Sequence, residues 1–499
     1  MALSDPWAKD GKLYGQDFHL LRSSLDSEEL FLDPFFPPNK NSISYSGYLA
    51  DDAAAGGKKQ DIDKITWVRA NDLYKDAMLV VDGTNRNDVN QGTLGNCWFL
   101  SALVGVSEDP ALFARVVPED QSFGRNYAGI FYFRFWQYGE WVEVVVDDFI
   151  PVKNGEPVFV YSDDHGEMWP CLLEKAYAKL HGSYWHLNMG LPMSAMVDFT
   201  GGFPESYVGN GNGALEGLGM DLFLEMKKAF SRPGTLVCAS SLIRRYKKYG
   251  IIGGHCYTVL EIAEDRIHGI PVPRLVRIRN PWGDSMEWRG SWSDKSKEMK
   301  SLKKKQRNLL KTGEGDWWMA YTDFLRCFTH LSICHIKPED QDNTKTDDVI
   351  WTEKSVHGSW VAGLTAGGCG NDGFSSFLTN PQYLLTIRED EKRVEVNMAL
   401  MQKGRRQLRD EMGSNTFLAI GLTVFPLRKR INSKASRKDL KGITPMGMVY
   451  EEFRTTTLQT ILSVGHYLVV PASFFRDQEA EFFLRININD KHFRLEELE

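Results

Sequence analysis

Apolar positions return at helical spacing through NCWFLSALVGVSEDPALFARVV (residues 96–117) and again through WPCLLEKAYAKLHGSY (169–184), where Gly182 closes the second run. Between them, GIFYFRFWQYGEWVEVVVDDFIPV (129–152) changes period. Its aromatic and β-branched residues alternate, which predicts two antiparallel strands turning at Tyr138-Gly139. A glycine-rich passage, TGGFPESYVGNGNGALEGLG (200–219), ends this mixed region. The next region is strand-like: GTLVCAS, GGHCYTVLEI and PRLVRIRNPWG, ending at LSICHI (331–336). KPEDQDNTKTDD (337–348) then has the composition of a linker. From Trp351 onward, short runs such as YLLTI, VEVNMAL, FLAIGLTVF, HYLVVPASF and EFFLRINI recur between turns, the pattern of an antiparallel sandwich.

These breaks divide the 499 residues into an N-terminal arm (1–60), a first core subdomain (61–200), a second (201–338), a linker (339–348) and a β-sandwich (349–499). A chain of this length is too long for a single core, and the expected class is α+β. Composition alters this picture little, since 42% hydrophobic and 25% charged residues are ordinary for a globular protein. A net charge of −7 gives no global reason to expect nucleic acid. Basic residues instead cluster, eight in 295–311 and seven in 428–441. The seven cysteines are odd in number and form no CxxC pair, which favours a reducing compartment over a disulfide framework or a zinc site. MALSDPWAKDGK lacks a signal-peptide core and no run of 18 apolar residues occurs, so a cytoplasmic location is expected.

Chemistry concentrates in NQGTLGNCWFLSAL (90–103). It places Cys97 at the start of a helix, where the positive end of the dipole favours thiolate. A buried cysteine is usually only a small hydrophobe. Here, however, GGHCY supplies His255 at a strand start, and RIRNPWG supplies Asn280 at a strand end. Adjacent antiparallel strands bring such residues together, with imidazole as base and amide as its orienter. Gln91 offers an amide donor for an oxyanion, and Trp282 either packs in the core or screens the Asn–His contact from water.

QGTLGNCWFLSAL, GGHCYTV, RIRNPWG and EWRGSWSD together resemble the protease core of the calpains, and the likeness continues through LFLDPFFPP, VDFTGG and GDWWMAYTDF. GSWVAGLTAGGC, NPQYLLTI and HYLVVPASF are similar to the calpain C2-like β-sandwich. The resemblance implies a papain-like two-lobed cysteine protease core, one lobe helical and one β-rich, followed by that sandwich. It implies Cys97 as nucleophile, His255 as base, Asn280 as orienter and Gln91 as oxyanion donor. The activity implied is a calcium-dependent endopeptidase making limited cuts in protein substrates.

Two calcium ions are implied as well. For the first lobe the matching ligands are the carbonyls of Val81 and Gly83 with Asp88 and Glu174. For the second they are Glu287, Asp294, Glu314 and the Thr312 carbonyl. The second set departs from the family pattern by an extra residue after Trp282, by Thr at 312 instead of Met and by Glu at 314 instead of Asp. Arg86 and Asp316 match positions that link the two halves by a charge contact. No EF-hand loop occurs, so a monomer without a small EF-hand subunit is expected. The sandwich, with its basic stretch 428–441 and acidic EDE (389–391), is a candidate for phospholipid membrane. Two rival readings stand beside the peptidase. One is a non-proteolytic scaffold acting through the sandwich. The other is a transglutaminase-type acyltransferase, disfavoured by the 158-residue Cys-to-His separation and by Asn as third member.

Overall fold

In the computed structural model, residues 11–26, 29–44, 48–50, 59–124, 126–209, 214–336, 351–388, 393–403, 417–488 and 493–499 are described. The linker stretch 337–348 and the acidic 389–391 lie outside them. The chain divides into two compact units, residues 1–337 and 338–499.

In the first unit the helix Cys97–Ser107 is buried along ten of its eleven residues. The alternating region forms the hairpin Ile130–Gln137 and Glu140–Asp147, paired from Gln137↔Glu140 to Ile130↔Asp147. Tyr138 and Gly139, at φ 51° and 111°, make its turn. The helix Trp169–Leu180 is buried on every side, including its charged residues. Lys175 and Lys179 point into the protein, where burial is tolerable only with a partner. Lys175 pairs with Asp147, and Lys179 reaches Asp33 Oδ2 at 2.6 Å and the Val145 carbonyl at 2.6 Å. Asp33 belongs to the N-terminal arm, whose backbone at Lys12 also forms a β-bridge with Glu143. The described part of the arm is therefore stitched to the core through buried charge.

The second half of this unit is a six-stranded antiparallel sheet in the order Asp316–Ala320, Ile270–Arg279, His255–Ile267, Leu236–Ser241, His330–His335, Phe203–Val208. The glycine-rich passage is thus more than a separator, because its FPESYV supplies the last of these strands. The helices Gly219–Phe230 and Tyr321–Cys327 contribute Phe223, Met226 and Phe324 to the cluster that also holds Tyr257, Ile278 and Trp317. The basic run forms two short helices, Lys297–Ser301 and Lys304–Leu310, that bury only Met299 and Leu310.

The second unit has a four-stranded sheet in the order Thr352–Trp360, Ala480–Ile488, Val394–Gln402, Thr455–Leu462. A five-stranded sheet runs Met446–Glu451, Ile420–Leu427, Gly465–Ser473, Tyr383–Ile387, Arg494–Glu497. Trp360, Tyr383, Met398, Val424, Val469 and Phe482, drawn from both sheets, share one core. In the basic stretch, Ala435 and Leu440 are buried against the five-stranded sheet, and Arg430 pairs with Glu496 at 3.1 Å.

Candidate active site and cation site

Cys97 is the first residue of its helix, so its sulfur lies at the end where backbone N–H groups are unsatisfied. His255 opens the central strand of the six-stranded sheet, and Asn280 follows directly after the next. His255 Nε2 and Asn280 Oδ1 are 2.8 Å apart. Two further bonds fix which atom of the amide faces the ring. Asn280 Oδ1 accepts from the Trp282 N–H at 3.1 Å, while Nδ2 donates to the Met286 carbonyl at 3.3 Å. An oxygen facing His255 requires a proton on Nε2, which leaves the lone pair on Nδ1.

The Cys97 thiol interacts with His255, which draws its pKa down. A hydrogen bond with Cys256 and burial push it the other way, and the net result lies well above the ordinary thiol range. Thiolate forms as the Cys97 proton moves to Nδ1. The Trp282 ring sits 4.8 Å from the imidazole, tilted by 51° and partly exposed. Gln91 Nε2 donates one N–H to the Leu94 carbonyl at 2.7 Å, and an amide carries two. The Gln91 backbone N–H binds the Pro281 carbonyl at 2.9 Å, tying the loop before Cys97 to the turn after Asn280. Gly283, at φ +64°, allows this approach, since a Cβ there would lie 1.8 Å from Asn90 Oδ1.

The residues matched to the first cation divide differently from the sequence expectation. Asp88 does meet other carboxylates: ligand atoms of Asp88, Asp164 and Glu167 lie within 4.8 Å of one another. Glu167 Oε1 accepts from the Val81 N–H at 2.8 Å, which puts it against the loop of Val81 and Gly83. That loop turns through Asp82 and Gly83 at φ 51° and 90°. Asp88 Oδ2 is held by the Asn85 N–H at 2.8 Å, and the Trp169 side chain also interacts with this carboxyl. Burial and neighbouring acids push Asp88 up to about 6 and Glu167 up to about 7. Two buried carboxyls and one exposed one, converging and mutually repelling, fit a hard divalent cation. Asp164 and Glu167 also line a cavity of about 220 Å³ together with Tyr74, Glu156, Tyr161 and His165.

Glu174, which the resemblance placed beside Asp88, is not in this converging group. Its carboxyl accepts from Asn96 Nδ2 and from the Val160 N–H at 3.0 Å, and burial pushes its pKa up to about 8. Each of its two oxygens is thus taken up by one donor. What it does is hold Asn96, the residue before Cys97. The signal for Glu167 was present in HGEMW, just ahead of the same helix, but the Met78↔Glu167 bridge that docks it is not local in sequence.

Stability measurements separate these roles. Glu174→Ala strands two buried donors and is expected to cost about 2–4 kcal/mol in urea unfolding. Because the folded-state pKa is raised, Glu174 contributes stability that is full below its unfolded value and is lost as pH rises through about 8. Glu174→Gln, with the Asn96 amide turned to accept, should therefore gain on the wild type between pH 5 and 8. A constant difference across that range would remove the neutral-carboxyl assignment.

In the second half Glu287 Oε1 accepts from the Gly315 N–H at 2.9 Å, and the Gly315 carbonyl accepts from the Asn280 N–H at 2.9 Å. Burial raises the Glu287 pKa, and Asp294, Glu314 and Asp316 add to the rise. Asp294 is raised chiefly by burial, and Glu314 is exposed. Thr312 Oγ1 donates to the Asp316 carbonyl at 2.8 Å. These acids share a neighbourhood, but their ligand atoms do not converge as the first set does. Buried Asp316 receives Arg86 Nε at 2.8 Å, Arg279 Nη1 at 3.0 Å and Arg277 Nη2 at 3.1 Å. Arg86 also binds Glu108 at 3.0 Å, a partner that no local sequence signal marks.

A cysteine at a helix start facing a histidine whose tautomer is set by an asparagine defines the class of thiol-dependent acyl-transfer enzymes. The family described as calpain family cysteine protease matches residues 31–335, and that described as calpain large subunit, domain III, matches 356–487. The chain is 36% identical to Calpain-A of Drosophila melanogaster, covering 94% of this chain and 57% of that protein. It is 36% identical to Calpain-8 of Mus musculus, covering 95% and 68%, and 37% identical to Calpain-9 of Homo sapiens, covering 96% and 68%. The chain belongs to the calpain family of cysteine proteases. It spans little more than half the length of the fly relative.

Proposed function

We propose that this chain is a calcium-dependent cysteine endopeptidase that makes limited cuts in protein substrates. The observation that carries the reading is the locked Asn280 amide, which presents Oδ1 to His255 Nε2 and so leaves Nδ1 as the base for Cys97. In the first half-reaction Cys97 Sγ attacks the scissile carbonyl as its proton passes to Nδ1. The developing oxyanion accepts from the Gln91 side-chain amide and from the backbone N–H at the helix start. Imidazolium then protonates the leaving amine, and the acyl-enzyme is hydrolysed by water activated at the same nitrogen.

Calcium fits the first lobe, where Asp88, Glu167 and Asp164 would hold it with the Val81 and Gly83 carbonyls. Bound there, the ion supplies charge neutralisation that lets the carboxylates ionise together. In the second lobe Glu287, Asp294, Glu314 and the Thr312 carbonyl are the candidates. Their loop reaches the triad through the Gly315–Asn280 backbone bond, and Arg86–Asp316 is the charge contact proposed to couple the two lobes. Seven cysteines, none in a disulfide, support a reducing, cytosolic setting.

Digestion of an unfolded protein across a calcium titration tests the reading. Cleavage that rises with calcium is expected. Cleavage independent of calcium would overturn the switch and keep the nucleophile, whereas a folded protein inactive at every calcium level would favour the scaffold.

A further inference from the structure

The strand that delivers His255 also brings a second thiol to Cys97. Alternate residues of a strand share a face, so Cys256 and Thr258 point the same way. Thr258 Oγ1 donates to the Ser101 carbonyl at 2.6 Å, which lays that face on the helix Cys97–Ser107. Two residues of strand advance roughly 6.6–6.8 Å and four residues of helix about 6 Å. One such step back from the Thr258–Ser101 contact brings Cys256 onto Cys97, and the two thiols are hydrogen-bonded. Cys256 Sγ also lies 3.3 Å from Ser240 Oγ on the neighbouring strand, which fixes its direction. Each cysteine retains 6% of its surface, enough for a small oxidant to reach the pair. The acyl-transfer reading gives Cys256 no role.

We propose that Cys256 is a resolving thiol, and that a hydroperoxide converts Cys97 and Cys256 into a reversible disulfide. In the first step Cys97 sulfur attacks a peroxide oxygen and the O–O bond breaks. With hydrogen peroxide the products are Cys97 sulfenic acid and water, the thiol proton leaving with the departing oxygen. In the second step Cys256 sulfur attacks the sulfenic sulfur, the S–S bond forms and the S–O bond breaks. Hydroxide leaves and takes the Cys256 proton, giving a second water. Two thiols are oxidised by two electrons and one peroxide is reduced. The disulfide removes the nucleophile while protecting its sulfur from the irreversible sulfinic and sulfonic states, and a dithiol restores it. The chemistry needs only the two thiols in contact, so it goes beyond the peptidase reading, and its readout is mass instead of cleavage.

The experiment treats the full chain with hydrogen peroxide, caps remaining thiols with iodoacetamide and maps the peptides by mass. A linked Cys97–Cys256 pair, two hydrogens lighter than the separate thiol peptides, is expected, and dithiothreitol should return both residues to alkylation. In Cys256→Ala and Cys256→Ser, neither with a larger side chain, Cys97 should pass to sulfinic and sulfonic acid and dithiothreitol recovery should be lost. Absence of the linked peptide from the wild type overturns the proposal. So does recovery of Cys97 in the variants equal to that in the wild type.

Discussion

Cys97→Ala should cleave an unfolded protein no faster than background, a loss of about a million-fold in kcat if the sulfur is the nucleophile. Loss of a group that forms the covalent intermediate leaves only binding and oxyanion stabilisation, whereas a structural cysteine replaced by Ala would cost little. Asn280→Ala provides the internal control. Its oxygen touches the ring, not the substrate, so kcat should fall by about 10²–10⁴ while KM changes little. The mechanism places the proton on Nε2, held there by an acceptor whose orientation Trp282 and Met286 enforce. Without that acceptor the ring populates the other tautomer and turns a proton, instead of a lone pair, toward Cys97. Cleavage by the Cys97→Ala protein at more than a trace would exclude the acyl-enzyme route.

The second large effect concerns calcium. Asp88→Asn combined with Glu167→Gln should raise the half-activating calcium concentration by about 10–100-fold or more, since two of the three converging charges are removed. The wild type should also show a pH dependence of definite sign. Asp88 and Glu167 titrate near 6 and near 7 in the folded protein, so protons compete with the cation below neutrality. Calcium affinity, followed by thermal shift or calorimetry, is expected to rise from pH 5.5 to 7.5 and then flatten. The same raised values mean that, without the cation, these two carboxyls lose stability as pH rises through them. In the doubly neutral protein the slope should vanish. An unaltered slope in that variant would place the cation elsewhere.

The four candidate active-site positions each occupy a place that sequence marks locally. Cys97 stands where a glycine-broken loop meets a helical apolar run, His255 follows Gly-Gly at a strand start, and Asn280 precedes the proline that stops a strand. Gln91 precedes Cys97 in the same loop. Helices, hairpin and sandwich were legible for the same reason, since period and turn chemistry are properties of neighbouring residues. The candidate cation site was only half legible. Asp88 and the carbonyls of Val81 and Gly83 lie together in sequence, but the partner carboxylate comes from a segment about 80 residues on. Two glutamates there, Glu167 and Glu174, stand at the same helix, and nothing in the local pattern says which one faces the loop.

Sequence by itself therefore determined the family, the order of the lobes and the residue types available for catalysis, because these depend on spacing and on apolar period. Tertiary structure alone decided which charges meet. It sent Glu174 inward to hold Asn96, brought Glu167 to Asp88 through the Met78 bridge and gathered three arginines on Asp316. It also laid Cys256 on Cys97, a contact set by the packing of a strand on a helix. The physical reason is the same in each case. Ionisation and ligation depend on burial and on neighbours within a few ångströms, and those neighbours are fixed by folding, not by adjacency along the chain.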